Sequence, residues 1–280
     1  MAENGLKHTY GWVKDDEDIR DFKFKVEKYV VLPEEFELPN LPPVLDQKTL
    51  GSCTGHGVGQ TDFYTQLTQK DLDAALPSRL MIYYGEREME GTIGEDSGAQ
   101  IRDGVKFLAK SGCCPEQMWP YDISKFTQRP PQPCWDEALK HQAIQYESVN
   151  QTLNDIQTAL VSGFMVVFGF TVFASFETDS VARTGIVPMP KPGEQELGGH
   201  CTTFCGFSNK TRMLKCMNSW SDQWGDRGFF YLPYDFVLNK NWVSDLWILK
   251  IIEDDQTPTP APVVTKSWIG RVIDWFHSIF

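Results

Sequence analysis

The stretch Gln-Lys-Thr-Leu-Gly-Ser-Cys at residues 47–53 places a glutamine shortly before a cysteine. Much further along the chain, two glycines precede a histidine at residues 198–200, and Asn-Ser-Trp follows at residues 218–220. A thiol becomes a strong nucleophile when a base takes its proton and a third group orients that base. Cysteine, histidine and asparagine in this order therefore predict a nucleophilic thiol site, with hydrolysis of peptide bonds as its reaction.

Cys53 precedes a predicted helix over residues 54–70. A thiolate at a helix N-terminus is stabilised by the helix dipole and by a neighbouring imidazolium, which together lower its pKa. A lone cysteine is more often a buried, inert thiol, but Gly51, Ser52 and Gln47 beside it favour a catalytic role. Gln47 and the backbone N–H of Cys53 are the predicted donors to the oxyanion, and each such donor is worth about 3 kcal/mol.

His200 is the predicted base and Asn218 the residue that fixes its tautomer, a role that a carboxylate plays in serine hydrolases. Gly199 lets a backbone approach the histidine closely, and Trp220 is expected to shield the His–Asn hydrogen bond from water. His56 is a rival base, because it lies one helical turn after the cysteine. Its axial offset on the helix makes an approach to the sulfur awkward.

The composition excludes several other classes of function. The chain has 280 residues and a net charge of −12, with 41% hydrophobic and 23% charged residues. This acidic balance argues against nucleic-acid binding, which requires clustered lysine and arginine. The cysteine and histidine spacings match no zinc site, and no glycine-rich phosphate loop follows a strand. We therefore expect no metal and no cofactor, and a protein or peptide as the substrate.

The sequence also predicts the cellular compartment of the protein. The N-terminus lacks the apolar segment of a secretory signal, and no run of apolar residues is long enough to span a membrane. Seven cysteines are an odd number, whereas a secreted disulfide framework is usually even. A cytoplasmic or other intracellular, reducing setting is expected, and the sequence does not specify the oligomeric state.

The periodicity changes along the chain and predicts an α+β protein with two lobes. Helices are expected over residues 54–70, 79–87 and 99–111, and a short helix is expected after Thr152. Strands are expected over residues 165–172, 200–207, 212–217, 229–232 and 245–252. Because the cysteine lies in the helical half and the histidine in the β-rich half, the site must form in the cleft between them.

Four segments follow from this pattern. Residues 1–40 form an N-terminal leader, 41–140 a helical lobe, 141–255 a β-rich lobe, and 256–280 a Pro/Thr-rich linker with a short amphipathic helix. The aromatic and acidic residues 10–25 lie either over the cleft as an inhibitory leader or against the back of a lobe. The C-terminal helix is expected to dock to a protein partner, to a membrane surface or to a groove of the chain itself.

The motifs resemble those of the papain family of cysteine peptidases over residues 41–252. The resemblance rests on residues 47–53, on residues 199–202 around the histidine, on residues 218–230 and on Trp-Pro-Tyr at 119–121. It implies a papain-like fold with a helical left lobe, a β-barrel right lobe and an extended substrate across the cleft. It also implies that Ser97, Gly98 and Ala99 lie along the unprimed side and bind substrate backbone, with Gly199 and Trp220 as further substrate-binding residues.

The chain departs from the family pattern at two places near the nucleophile. Thr54 stands where a tryptophan usually follows the cysteine, and Leu50 replaces the cysteine of a left-lobe disulfide. The stretch before Cys53 is shorter than the helical propeptide of lysosomal members, so the pattern is nearer to a short-leader bacterial and viral branch. Two alternatives stay open: an acyl transferase or amidase of the transglutaminase kind, and a non-catalytic papain-like binding scaffold.

Overall fold

Helices and an antiparallel sheet divide the chain as its periodicity predicts. The structure, a computed structural model, describes residues 8–16, 18–25, 30–69 and 74–252. Its helices are α1 (Cys53–Gln69), α2 (Arg79–Glu90), α3 (Ile101–Ser111), α4 (Gln132–Ala138), α5 (Leu153–Val161), α6 (Asp179–Thr184) and α7 (Tyr234–Val237). Its strands are β1 (Trp12–Val13), β2 (Glu35–Glu37), β3 (Ala99–Gln100), β4 (Ala143–Ser148), β5 (Val166–Phe173), β6 (Glu196–Ser208), β7 (Met213–Met217), β8 (Phe229–Pro233) and β9 (Val243–Ile252).

Seven strands form one sheet in the order β4-β9-β5-β6-β7-β8, with β2 pairing to β6, and every pairing in it is antiparallel. The long strand β6 lies at the centre and carries the Gly-Gly-His motif. A second, two-stranded sheet joins β1 to β3 in parallel, with Trp12 opposite Ala99. The fold is therefore α+β, with helices α1–α3 on one side and the large sheet on the other.

The glycines of α1 allow this helix to pack closely on both lobes. A Cβ at Gly57 would lie 2.8 Å from the sulfur of Cys201 on β6, and one at Gly55 would lie 2.7 Å from the backbone oxygen of Arg79 on α2. Glycine in a helix costs up to about 1 kcal/mol relative to alanine. In this protein the glycines let α1 pack between α2 and the sheet, and this packing holds Cys53 against β6.

Local signals identified most elements correctly. Thr152 caps α5 through its side chain, as its sequence context predicts, and the predicted strands correspond to β5–β9 with their ends shifted by a few residues. The prediction of a helix from residue 99 is wrong at its start, because Ala99 and Gln100 are extended and pair with β1. Strands β2 and β4 were not predicted.

Part of the predicted leader segment belongs to the β-rich lobe. Residues 35–37 of the predicted leader form β2 and pair with β6, and Phe24 and Leu38 are buried in the core of the β-rich lobe. The predicted Pro/Thr linker and C-terminal helix lie outside the described residues. Within the described ranges, no helix has the length and apolar character needed to cross a membrane.

Candidate active site

Cys53 is the first residue of α1 and is fully buried. The backbone N–H groups of Cys201, Gly11 and Thr54 point at its sulfur. Cys201 directly follows His200 on β6, so the sulfur lies beside the strand that carries the predicted base. All seven cysteines are free thiols.

His200 and Asn218 form the predicted pair. Nε2 of the imidazole lies 2.8 Å from Oδ1 of Asn218, and both residues are buried. Because an amide oxygen can only accept, Nε2 carries the hydrogen and Nδ1 has its lone pair available. Nδ1 has no hydrogen-bond partner within the described part of the chain, so it is the atom that can take the proton of Cys53. The ring of Trp220 lies 4.8 Å from the imidazole and covers this pair, as the sequence predicts.

Hydrogen bonds hold the Gln47 side chain at both its amide oxygen and its amide nitrogen. Its Oε1 accepts a hydrogen bond from Oγ of Ser219 at 2.7 Å, and its backbone N–H donates to the Ser219 carbonyl. Its Nε2 donates to the carbonyl oxygens of Leu50 and Thr9, at 3.0 and 3.1 Å. Gln47 therefore presents a donor to the cleft, as an oxyanion-binding residue must.

The cleft is occupied by the chain's own residues 8–16, which we call the leader strand. Gly11 accepts a hydrogen bond from the backbone of Ala99 at 2.8 Å. Trp12 covers Gly169 and Gly199, where any Cβ would overlap its indole or backbone. Tyr10 lies against Gly198 and meets the imidazole of His200 edge to face, with ring centroids 6.4 Å apart. The leader strand thus passes directly over the catalytic residues.

The far end of the leader strand is anchored on β9. Asp245 accepts hydrogen bonds from Trp12 Nε1 at 3.0 Å and from the backbone of Asp15 at 2.8 Å. The carboxylate of Asp15 in turn accepts from Trp247 Nε1 and from the backbone of Arg102. Asp15 begins the run Asp-Asp-Glu-Asp at residues 15–18. Such a charge run is usually a solvated loop, but Asp15 is buried.

Burial under the leader strand keeps the catalytic pair neutral. It raises the pKa of the Cys53 thiol to about 12, although the three backbone N–H groups oppose this rise. It lowers the pKa of His200 to about 4, against the opposing effect of the hydrogen bond that the imidazole donates to Asn218. Desolvation disfavours the charged form of either group. In this closed arrangement the site holds a thiol and a neutral imidazole.

Both ring nitrogens of the rival base His56 contact groups other than Cys53. Its Nε2 lies 3.1 Å from the guanidinium of Arg79, and its Nδ1 lies 2.9 Å from the carbonyl oxygen of Ser52. Burial and the charge of Arg79 lower its pKa to about 3. His56 therefore supports the start of α1 and does not face the sulfur as a base would.

The predicted substrate-binding residues differ in what they contact. Gly98 and Ala99 lie against the backbone of the leader strand, since a Cβ at Gly98 would overlap the Gly11 carbonyl. Gly199 lies under Trp12, and Trp220 stacks on the His8 ring. The Ser97 hydroxyl bonds instead to Thr92 and to the Gly98 carbonyl. Their role toward a substrate stays a prediction. Within the described residues, no group of His, Cys, Asp or Glu side chains could hold a metal ion.

Sequence reasoning missed three residues of the site. Ser219 fixes Gln47, and only its place inside the Asn-Ser-Trp motif hinted at a role. Asp245 anchors the leader strand from β9. Glu177, in a short helical turn after β5, is bound by both His8 and Tyr10 of the leader strand. No local signal distinguishes Asp245 or Glu177 from other surface acids.

Comparisons with known proteins agree with this geometry. Residues 37–241 match the model of the papain family cysteine proteases. An uncharacterized peptidase C1-like protein of Acanthamoeba polyphaga mimivirus is 36% identical over 281 residues, covering 91% of this chain and 90% of its own length.

Solved structures show the same fold. Xylellain, a cysteine protease from Xylella fastidiosa, superimposes with a TM-score of 0.82 at 32% identity, covering 89% of this chain and 97% of that one. Procathepsin B S9 from Trypanosoma congolense has a TM-score of 0.70 at 16% identity, over 85% and 84% of the two chains. With a bacterial and a viral relative, and with a Cys-His-Asn site assembled between a helical lobe and a sheet, this chain is a member of the papain family of cysteine proteases.

Proposed function

We propose that this cysteine peptidase is held latent by its own leader strand, residues 8–16, and hydrolyses peptide bonds once that strand is displaced. The observation that carries the proposal is the hydrogen bond from Gln47 Nε2 to the carbonyl oxygen of Thr9, at 3.1 Å. A donor intended for the oxyanion of the substrate is occupied by a carbonyl of the protein itself. The full burial of Cys53 supports the same conclusion.

The direction of the leader strand explains why it is not a substrate. By the family resemblance, residues on the N-terminal side of the scissile bond pair with Gly98 and Ala99. In the leader strand, Trp12 pairs with Ala99 and Gly11 accepts a hydrogen bond from the Ala99 backbone, and both residues lie on the C-terminal side of Thr9. The strand therefore runs in reverse, and the Thr9–Tyr10 peptide bond is not presented to the thiol as a scissile bond is. Such a segment blocks the site without being consumed.

Displacement of the leader strand would restore the chemistry that the residue types predict. Water returning to the cleft lowers the desolvation penalty on a thiolate–imidazolium pair. Nδ1 of His200 then takes the proton of Cys53, and the thiolate attacks the substrate carbonyl carbon. Gln47 and the backbone N–H of Cys53 stabilise the oxyanion. The imidazolium gives its proton to the leaving amine, and water hydrolyses the thioester that remains.

The substitution Gly11→Val in the full-length protein tests this proposal. A Cβ at Gly11 would lie 1.7 Å from the backbone oxygen of Gly51, which no side-chain movement can relieve. We expect the leader strand to leave the cleft, and the rates of peptide hydrolysis and of Cys53 labelling by an E-64-type epoxide to rise about tenfold or more. Gly94→Val is the matched control, because a Cβ there meets no atom within 4 Å.

Two further variants complete the experiment. Cys53→Ala in the Gly11→Val background should abolish both hydrolysis and labelling. A synthetic peptide of residues 8–16, added to Gly11→Val, should inhibit it again. Latency is refuted if wild type and Gly11→Val are labelled at the same rate while both remain folded by circular dichroism. Amine coupling in place of hydrolysis would favour the acyl-transferase alternative.

A further inference from the structure

A carboxylate and an aromatic wall lie together beside the catalytic histidine. Glu177 ends the helical turn that follows β5, and its side chain is 11% exposed. Its neighbour Phe176 is buried, with ring centroids 5.6 Å from Trp220 and 5.4 Å from Trp224. This aromatic packing fixes the backbone of Glu177 next to Trp220. The position of the carboxylate is therefore set by the rigid body of the β-rich lobe.

The leader strand shows what this corner of the cleft can hold. The His8 ring stacks on Trp220 with centroids 3.7 Å apart and an interplanar angle of 1°. Its Nδ1 lies 3.0 Å from each carboxylate oxygen of Glu177, and the Tyr10 hydroxyl also donates to Glu177. A flat, nitrogen-bearing group thus lies on an indole face with its N–H directed at a carboxylate.

The position of this corner along the cleft identifies the substrate residue that it would receive. Trp220 lies 4.8 Å from the imidazole of His200, which protonates the leaving amine in the proposed mechanism. The leader strand enters at Trp220 with His8 and reaches Ala99 only with Trp12. Trp220 and Glu177 therefore lie at the end of the cleft opposite Gly98 and Ala99. That end receives residues on the C-terminal side of the scissile bond.

We propose that Glu177 and Trp220 form a subsite that selects arginine immediately after the scissile bond. A guanidinium is planar, permanently charged and able to stack on an indole while it donates two parallel hydrogen bonds to one carboxylate. The ammonium of lysine can form the ion pair but not the stacked, bidentate arrangement. The proposal rests on the proposed function, since the leader strand is taken as the occupant that a substrate replaces.

The first test measures a ratio of substrates in full-length Gly11→Val protein. Matched peptides carry arginine, glutamine or glutamate directly after the cleaved bond. We expect kcat/KM for the arginine peptide to exceed that for the glutamine peptide about tenfold, and Glu177→Gln to bring this ratio close to one. Glu177→Arg should reverse the order, so that the glutamate peptide is preferred. Glu196→Gln, an exposed acid of the same β6 strand as His200, should leave the ratio unchanged.

Ratios of kcat/KM between substrates are compared because Glu177 also binds the leader strand. The absolute rates of its variants therefore report both the strength of latency and the choice of substrate. An unchanged arginine preference in both active Glu177 variants would overturn the proposal, as would an absence of any preference in the parent. If Gly11→Val and wild type show equal activity, latency fails, but the same ratios are then measured in wild type. The two proposals therefore fail through different observations.

A second test uses the leader strand itself and needs no peptide turnover. In otherwise wild-type protein, His8→Arg should slow epoxide labelling of Cys53, because a guanidinium can donate two parallel hydrogen bonds to the Glu177 carboxylate. His8→Glu should accelerate labelling. In a Glu177→Arg background these two effects should exchange signs. If both His8 variants change labelling equally in the two backgrounds, Glu177 does not recognise the side chain and the proposal is wrong.

Discussion

Gln47 donates a hydrogen bond to the carbonyl of Thr9, a residue far earlier in the chain, and receives one from Ser219, far later. One amide thus joins the leader strand, the loop before α1 and the strand end after β7. Catalysis and latency share this contact, since the donor that binds the leader carbonyl is the one proposed to bind the oxyanion. Changes at Gln47 should therefore weaken inhibition and catalysis together.

Gln47→Ala provides the first prediction. In the Gly11→Val background, kcat should fall about 10²–10³-fold with little change in KM, because the lost hydrogen bond is made mainly in the transition state. In otherwise wild-type protein the same change should speed epoxide labelling of Cys53, since the leader strand loses an anchor. Ser219→Ala should show both effects more weakly, because Gln47 is then present but less well oriented. A kcat unchanged by Gln47→Ala would remove it from the oxyanion site.

Asn218→Ala should change the pH profile as well as the rate. The hydrogen bond from His200 to Asn218 raises the pKa of the imidazole, so its loss favours the neutral ring. In the Gly11→Val background we expect the alkaline limb of kcat/KM to move to lower pH, because the imidazolium loses its proton earlier. We also expect kcat to fall about 10²-fold. Asn241→Ala, an exposed amide, is the control. A lowered rate with an unshifted alkaline limb would indicate a merely structural role for Asn218.

The catalytic side chains could be predicted from sequence because their chemistry restricts the residue types. A thiol, an imidazole, an amide orienter and an oxyanion donor are few, and the glycines before His200 indicate a close backbone approach. The structure shows that approach, with Tyr10 and Trp12 lying against Gly198 and Gly199. What these glycines face could not be predicted, because it depends on where the N-terminal segment crosses the fold.

The other differences between the predicted and the observed structure also arise from long-range contacts. Ala99 and Gln100 lead into a helical pattern, yet they are extended because β1 pairs with them. Asp15 lies in an acidic run that resembles solvated loop, yet Trp247 and the backbone of Arg102 bury and bind it. Glu177 precedes the exposed residues 178–180, and only the packing of Phe176 brings it to the cleft. None of these contacts leaves a local sequence signal.

Glu86 on α2 provides a prediction about stability. Its side chain is fully buried, and Oε2 accepts a hydrogen bond from the hydroxyl of Thr54, the residue after Cys53, at 2.6 Å. Burial raises the pKa of this carboxyl well above its usual value, so the folded protein retains the proton that the unfolded chain has lost. The stability that this group contributes is present below about pH 4 and is lost as pH rises toward the folded pKa.

Glu86→Gln replaces the protonated acid by a neutral amide of similar shape. We expect its Tm to exceed that of wild type at pH 8 and the difference to shrink toward pH 5, as measured by thermal unfolding. Glu88→Gln removes an exposed carboxylate from the same helix and should show no such pH-dependent gain. Equal shifts for the two variants would mean that the buried carboxyl is not protonated in the folded protein.

The pH dependence of latency arises from the carboxyl pair that anchors the leader strand. Burial and the charge of Asp245 raise the pKa of Asp15, so a docked leader strand retains a proton on this carboxyl pair and docking weakens as pH rises above about 4. The catalytic pair adds little to this dependence. Cys53 and His200 together hold one proton under the leader strand, as a thiol and a neutral imidazole, and they also hold one proton after its departure, as a thiolate and an imidazolium.

Asp15→Asn should remove this pH dependence. With the amide in place, Asp245 no longer faces a second carboxyl group. The leader strand of the variant should then dock about equally at pH 5 and pH 8, whereas the wild-type strand should dock more tightly at pH 5. Hydrogen–deuterium exchange of residues 8–16, corrected for the intrinsic effect of pH, measures this directly. Asp16→Asn changes the charge equally at an exposed neighbour and should behave as wild type. If Asp15→Asn and wild type keep parallel profiles, the Asp15–Asp245 pair does not titrate with docking, and the pH dependence of latency has another origin.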